Sequence, residues 1–328
     1  MPRRPTLADV AAARHRLDGV AVRAPLEPSP ELAAEGGLAE VRLKREDVQP
    51  VGSFKMRGAH NKVAVVAAET PQVALVTASS GNHGIAVATA ARRHDMRLTV
   101  LVGSNVSPAK LERLRALETG RCTVEIAGDD TDAAEAEARR RDDAGLAVYV
   151  PPYNDPEVIA GQATVGVEIV EDWPDVEAIV VPIGGGGLSA GIGLWAKAVK
   201  PGLRLTGVQP SASPPMYAYF QTGDTEPMPI APTLADGVAG NIERGSLTWK
   251  LCREVVDEVV VIDEDEIAQA MRWAVAVPHL LLEGSAVLGI AALLTGKAPS
   301  LEGLRTAVVV TGRNVAPDVV GQVLGDRP

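Results

Sequence analysis

The chain has 328 residues, 46% of them hydrophobic and 3% aromatic. That apolar content supports a real core and excludes a disordered chain, while the length suggests two lobes sharing a cleft. The net charge of -10 repels phosphate backbones and anionic lipid, so nucleic-acid and membrane partners are not expected.

Arg3, Arg4, Arg14 and Arg16 come first, but no apolar leader accompanies them. The segment 6–17 reads as an amphipathic helix with Thr6 as its N-cap. Short apolar runs then follow at 41–43, 73–77, 98–102, 122–126, 147–150, 178–183, 203–208, 255–262 and 307–311. Between them lie Ala-rich segments of helical length, at 85–93, 108–117, 132–141 and 188–199. Strands alternating with helices predict an α/β fold with parallel sheets. The run 139–143 reads as a solvated helix end. The Pro-, Ser- and Gly-rich stretch 210–233 reads as a loop with a short helix inside it, of the kind that serves as a lid or an interface. Cys122 and Cys252 are the only cysteines; they fit a reducing cytoplasm and offer no metal framework. No window holds about 18 uninterrupted apolar residues, so no membrane span is expected.

Four constellations carry chemistry. The first is Gly52-Ser53-Phe54-Lys55-Met56-Arg57-Gly58. Most lysines are surface groups, and Lys55 alone would be read that way. Its surroundings change the reading. Gly52 and Ser53 mark a turn with helix-capping chemistry. An amine beside the bulky ring of Phe54, at the start of a helix, can be desolvated, which lowers its pKa and makes it a nucleophile.

The second is Ser79-Ser80-Gly81-Asn82-His83-Gly84, between the run 73–77 and a helix. Backbone amides at such a turn bind anions such as a carboxylate; a plain capping loop is the alternative. The third is Gly184-Gly185-Gly186-Gly187-Leu188. Four glycines between a strand and a helix suit a phosphate cradle, with a flexible linker or a nicotinamide fold as rivals. The fourth is Thr311-Gly312-Arg313-Asn314. A residue at the carboxyl end of a parallel strand points into the ligand crevice.

Lys44, Glu46, Gln49, Gly52, Ser53, Phe54, Lys55, Arg57, Gly58 and Ala59 match in register a motif of the threonine dehydratase and serine racemase family. These are fold-type II pyridoxal phosphate enzymes. The other three constellations, and the segments 234–238, 256–260 and 283–286, also look like family segments, so the resemblance covers nearly the whole chain. It implies a two-domain α/β fold like that of tryptophan synthase β, each domain a mostly parallel sheet flanked by helices. Residues 1–50 and 152–328 would form the large, cofactor-binding domain, and 51–151 the small one carrying the Ser79–Gly84 loop.

The resemblance further implies pyridoxal 5'-phosphate as cofactor, with Lys55 as its Schiff-base lysine and Phe54 packed beside it. Asn82 would hydrogen-bond the phenolic oxygen. Gly184, Gly185, Gly186, Gly187 and Leu188 would hold the phosphate, and Glu283 would line the pocket. Thr311 would meet the pyridine nitrogen; a neutral hydroxyl there weakens the electron sink and favours β-elimination. Ser79, Ser80, Gly81, Asn82 and His83 would grip the substrate carboxylate, and Ser80 stands where racemases keep a second acid/base.

The implied activity is that of a dehydratase, an ammonia-lyase that turns a β-hydroxy amino acid such as L-threonine or L-serine into a 2-keto acid and ammonia. The alternatives are a less common hydroxy amino acid (a hydroxyectoine-breakdown intermediate or 3-hydroxyaspartate), a serine or aspartate racemase, or a binding protein without turnover. A homodimer is implied. Arg313 departs from the family's glycine: facing the cleft it could pair with an acidic group of the substrate, facing out it is a surface or interface arginine. Where the racemases bind a metal, residues 209–214 offer no carboxylate, so no metal is expected. With the sequence ending at Pro328, a C-terminal regulatory domain is not expected.

Overall fold

Runs rich in Val and Ile form the strands, because side chains branched at Cβ suit a pleated surface covered on both faces. The computed structural model describes residues 3–325. Its strands are β1 (Leu26–Pro28), β2 (Glu40–Arg45), β3 (Leu75–Ala78), β4 (Leu98–Val102) and β5 (Cys122–Ile126), then β6 (Val148–Tyr149), β7 (Ala178–Pro182), β8 (Arg204–Pro210), β9 (Glu258–Ile262) and β10 (Arg305–Val310). Six of them form one sheet in the order β1-β2-β10-β7-β8-β9, and four form a second, β5-β4-β3-β6. Every pairing is parallel except β1 with β2. All of β7 is buried, as is β10 after its first residue. The α/β class and its parallel sheets are those the alternating pattern predicts.

Several elements differ from expectation, each for a physical reason. β1 carries no apolar pattern; it has three residues, one of them Pro28, and exists only by pairing with β2 at the sheet edge. Val255 ends the helix Leu247–Val255 instead of opening β9, so the apolar run there spans two elements. The helix after the Ser-Ser-Gly run begins at Asn82. The run 139–143 is the end of helix Thr131–Asp143, but Arg139 is half-buried, 2.7 Å from both Glu135 and Glu243 and stacked over Tyr149. The loop 210–233 does hold a short helix, Pro215–Thr222, and Thr6 does cap the first one, in a capping box with Asp9.

Helix Lys55–Glu69 packs against helices Asn82–Arg93 and Pro156–Asp172. Its contact with the latter is nearly backbone on backbone: a Cβ at Gly161 would lie 2.7 Å from the Arg57 carbonyl oxygen. Among the described residues, no helix is long and apolar enough to cross a membrane.

Candidate active site

The crevice lies where the carboxyl ends of β3, β7 and β10 converge. Lys55 enters it on a turn docked beside β10. The Phe54 N–H donates to the Thr311 carbonyl and the Arg313 N–H donates to the Gly52 carbonyl, both at 3.0 Å. Gly52 turns the chain at φ +74°, where a side chain would also strike Asn314. The Lys55 ammonium sits 5.2 Å from the centre of the Phe54 ring and donates to the Pro152 carbonyl at 3.0 Å. Burial lowers its pKa to about 8, against the pull of Glu283.

Beneath this turn lies a charged knot. Arg57 donates to both oxygens of Glu46 and to both of Glu168, at 2.7–2.9 Å, and to the Thr164 hydroxyl. Lys44, fully buried, donates to Glu168 at 2.6 Å and to the Ala24 carbonyl at 2.7 Å. Burial works against the Glu168 charge, but Arg57 and Lys44 hold its carboxyl below the usual range. Burial also lowers the Lys44 pKa, with Glu168 opposing. Gln49 ties the knot to Val22 and Glu46. Lys44, Glu46, Gln49 and Arg57, which matched the sequence motif without an assigned role, form the foundation on which the Lys55 turn rests.

One cavity of ≈ 280 Å³ is lined by Phe54, Lys55, the stretch 79–83, the stretch 184–188, Glu283 and Thr311. The sequence-selected residues are thus brought together. The Ser79 hydroxyl accepts from the Gly81 N–H. The first turn of helix Asn82–Arg93 leaves backbone N–H groups without intrahelical acceptors. His83 is buried; its Nε2 lies 2.9 Å from the Val150 carbonyl, and burial keeps the ring neutral by pushing its pKa to about 3. Asn82 donates to both oxygens of Glu283 at 3.0 Å. Burial raises the Glu283 carboxyl to about 7, although the Asn82 hydrogen bond opposes this. Arg313 is exposed and does not line the cavity.

The four glycines run between β7 and helix Gly187–Val199. A Cβ at Gly185 would lie 2.2 Å from the Tyr153 ring, and Gly186 stands at φ +85°. The run therefore cannot carry side chains, and its amides open at a helix N-terminus.

Sequence reasoning missed Tyr153, which forms the shelf beside the glycines, and Lys110 and Arg113, which line the cavity from helix Pro108–Arg115. It gave Asn314 no role. Only spatial proximity reveals Tyr153, Lys110 and Arg113, which sit in no distinctive local pattern, whereas Asn314 closes the Thr311–Asn314 run. A second cavity, ≈ 990 Å³, shares Lys110, Arg113, Asp236, Glu283 and Asn314 with the first. Among the described residues, no group of three or more His, Cys, Asp or Glu could hold a metal ion.

An α/β frame that aims a half-buried lysine and a glycine cradle into one crevice describes an enzyme built for a phosphorylated, amine-reactive cofactor. The family model for "Pyridoxal-phosphate dependent enzyme" matches residues 18–312, and the chain belongs to that family. The L-threonine ammonia-lyase of Thermotoga maritima is 37% identical over 97% of this chain and 78% of its own length. The catabolic L-threonine dehydratase of Escherichia coli K12 is 34% identical over 97% and 95%. Maize serine racemase superposes with a TM-score of 0.90 at 29% identity, covering 98% of each chain.

The residues present fit pyridoxal 5'-phosphate. The glycine cradle admits a dianion at a helix N-terminus. The Thr311 hydroxyl is buried without a hydrogen-bond partner among the described residues, as a group awaiting a ligand nitrogen would be. The Lys55 amine lies in the same cavity.

Proposed function

We propose that this protein is an ammonia-lyase that eliminates water from a small β-hydroxy amino acid, L-threonine or L-serine, and releases a 2-keto acid and ammonia. The observation that carries the proposal is Lys55: a half-buried amine with its pKa lowered by desolvation to about 8, sharing one cavity with the Ser79–His83 loop at a helix N-terminus. The L-threonine ammonia-lyase and dehydratase relatives, at 34–37% identity, support the substrate class.

Pyridoxal phosphate, when bound, holds the substrate amine and withdraws electrons from its α-carbon. The remaining work falls to the chain. The amides and hydroxyls of Ser79, Ser80, Gly81, Asn82 and His83 bind the substrate carboxylate and set the Cα–H bond toward Lys55. Lys55 would take the α-proton. Its lowered pKa gives a usable neutral fraction near pH 8. The glycines and Leu188 would hold the phosphate, Phe54 would flank the ring, Asn82 would meet its phenolic oxygen, and Glu283 would close the pocket wall. Thr311 would offer the ring nitrogen a neutral hydroxyl, which would keep the electron sink weak and favour departure of the substrate hydroxyl. Ser80 is the candidate for protonation on the opposite face. The sheet boundaries support a division into 1–50 with 152–328 and 51–151, the smaller part carrying the carboxylate loop.

The test is keto-acid release from a panel of hydroxy amino acids by the pyridoxal phosphate-loaded protein. The expected result is turnover of L-threonine or L-serine that falls at least about a thousandfold in Lys55→Ala. Chiral analysis of recovered serine reads out racemisation separately. Cofactor binding without keto acid from any member of the panel would overturn the proposal.

A further inference from the structure

Arg113 stands outside the proposed catalytic set, yet a single line of hydrogen bonds joins it to the centre of the site. Its guanidinium donates to Asn314 Oδ1 at 3.0 Å. Asn314 Nδ2 donates to Asn82 Oδ1 at 2.6 Å, and Asn82 Nδ2 donates to both oxygens of Glu283 at 3.0 Å. The amide orientations are settled by groups that have only one role. Arg113 can only donate. The Val51 carbonyl, which takes a second Asn314 Nδ2 bond at 2.9 Å, can only accept, and an ionised Glu283 can only accept. Every donor in the series therefore points the same way, from a cation at the mouth to a buried carboxylate.

The line also crosses the cleft three times. Arg113 belongs to helix Pro108–Arg115, between β4 and β5. Asn314 follows β10 of the six-stranded sheet, Asn82 follows β3 of the four-stranded one, and Glu283 lies on the six-stranded side again. Arg113 can join only when the two sheets' edges are as close as they are here.

We propose that Arg113 is a positioning residue: acting through Asn314, it polarises the Asn82 amide and holds its N–H toward the cofactor ring and Glu283. Arg113 supplies a charged donor at the exposed end, and the half-buried Asn314 and Asn82 amides, aligned toward the buried Glu283, pass its polarisation inward. Closure of the cleft then registers directly at Asn82. The inference rests on the function proposed above, and it adds a residue to that reading.

The test compares Arg113→Ala, Arg113→Lys, Asn314→Ala and the Arg113→Ala/Asn314→Ala double variant in the full-length protein. In Arg113→Ala the side-chain amide proton resonance of Asn82, read by ¹⁵N NMR, should move upfield. The dissociation constant of pyridoxal phosphate should rise, and kcat/KM should fall about fivefold. The melting temperature should stay unchanged, since Arg113 is exposed. Arg113→Lys should restore part of each effect. In the Asn314→Ala background, removing Arg113 should add nothing. An unmoved Asn82 resonance in Arg113→Ala, or full additivity of the two substitutions, would overturn the relay. A wild type that releases no keto acid would instead overturn the function, and the NMR result would still decide the relay.

Discussion

Two buried polar clusters lie within one turn of helix of each other, and they are built on opposite rules. The knot of Lys44, Glu46, Arg57 and Glu168 balances two cations with two carboxylates, and Thr164, Gln49 and backbone carbonyls take up its remaining bonds. The cavity beside it holds Lys55, Glu283, Thr311 and Ser285, where the hydroxyls of Thr311 and Ser285 have no partner among the described residues and both ionisable groups have pKa values displaced toward neutrality. Completed hydrogen bonding makes a buried cluster a foundation. Incomplete bonding destabilises a fold unless a ligand completes it, so it marks where a ligand belongs.

The largest expected difference between the clusters appears on truncation. Arg57→Ala would leave the Glu46 and Glu168 carboxylates buried without their main counter-charge. It should cost about 3–5 kcal/mol of stability, measured by urea unfolding of the cofactor-free protein. Lys55→Ala, two residues away, should leave that stability unchanged or raise it, because the desolvated amine it removes has no strong counter-ion. Equal losses from the two substitutions would abolish the distinction between foundation and site.

A second expectation concerns pH. Burial lifts the folded-state pKa of Glu283 from 4.5 to about 7, so the folded protein holds this proton more tightly than the unfolded chain. The stability linked to it is fully present below pH 4.5 and is lost as pH rises through 7. Glu283 alone should therefore withdraw up to about 3 kcal/mol across that window, while His60 and His83, whose folded-state pKa values burial lowers, work in the opposite direction. Glu283→Gln should remove the Glu283 contribution, read as the difference between the two proteins unfolded at pH 5 and pH 8. The same slope in both proteins would place the titration elsewhere. The knot should contribute little to this slope, since Arg57 and Lys44 keep Glu168 ionised throughout.

The two clusters also differ in how far the sequence reveals them. Lys55, the Ser79–Gly84 run, the glycines and Thr311 are legible because each is a compact local pattern at a strand-to-helix junction, where the crevice of a parallel sheet must lie. The buried parallel strands are legible for a related reason: a run such as that of β7 has no polar face to blur it. β1 is not, because three residues with an exposed proline acquire their conformation from β2 alone. Glu168 lies 111 residues from Arg57, and Arg113 reaches Asn314 across 201 residues; such partners have no local spacing to read. The motif named Arg57 correctly, but only the folded chain distinguishes its foundation role from the catalytic role proposed for its neighbour.

The smallest effect gives the sharpest contrast, because it makes the same chemical change in both clusters. Thr164 and Thr311 are both buried threonines. The Thr164 hydroxyl accepts from Arg57 at 3.1 Å and donates to the Gly161 carbonyl at 2.6 Å, whereas the Thr311 hydroxyl bonds to nothing among the described residues. Replacement by valine keeps the shape and removes the hydroxyl. Thr164→Val strips a partner from a buried guanidinium and should destabilise the cofactor-free protein by about 1–2 kcal/mol. Thr311→Val removes a hydroxyl that is desolvated without compensation and should stabilise it by about 1 kcal/mol. With pyridoxal phosphate bound, Thr311→Val should lose that advantage if the hydroxyl meets the ring nitrogen as proposed. The two unfolding curves, with and without cofactor, measure this directly. A destabilised Thr311→Val in the cofactor-free protein would mean that its hydroxyl is satisfied after all, and that the cavity is as complete as the knot.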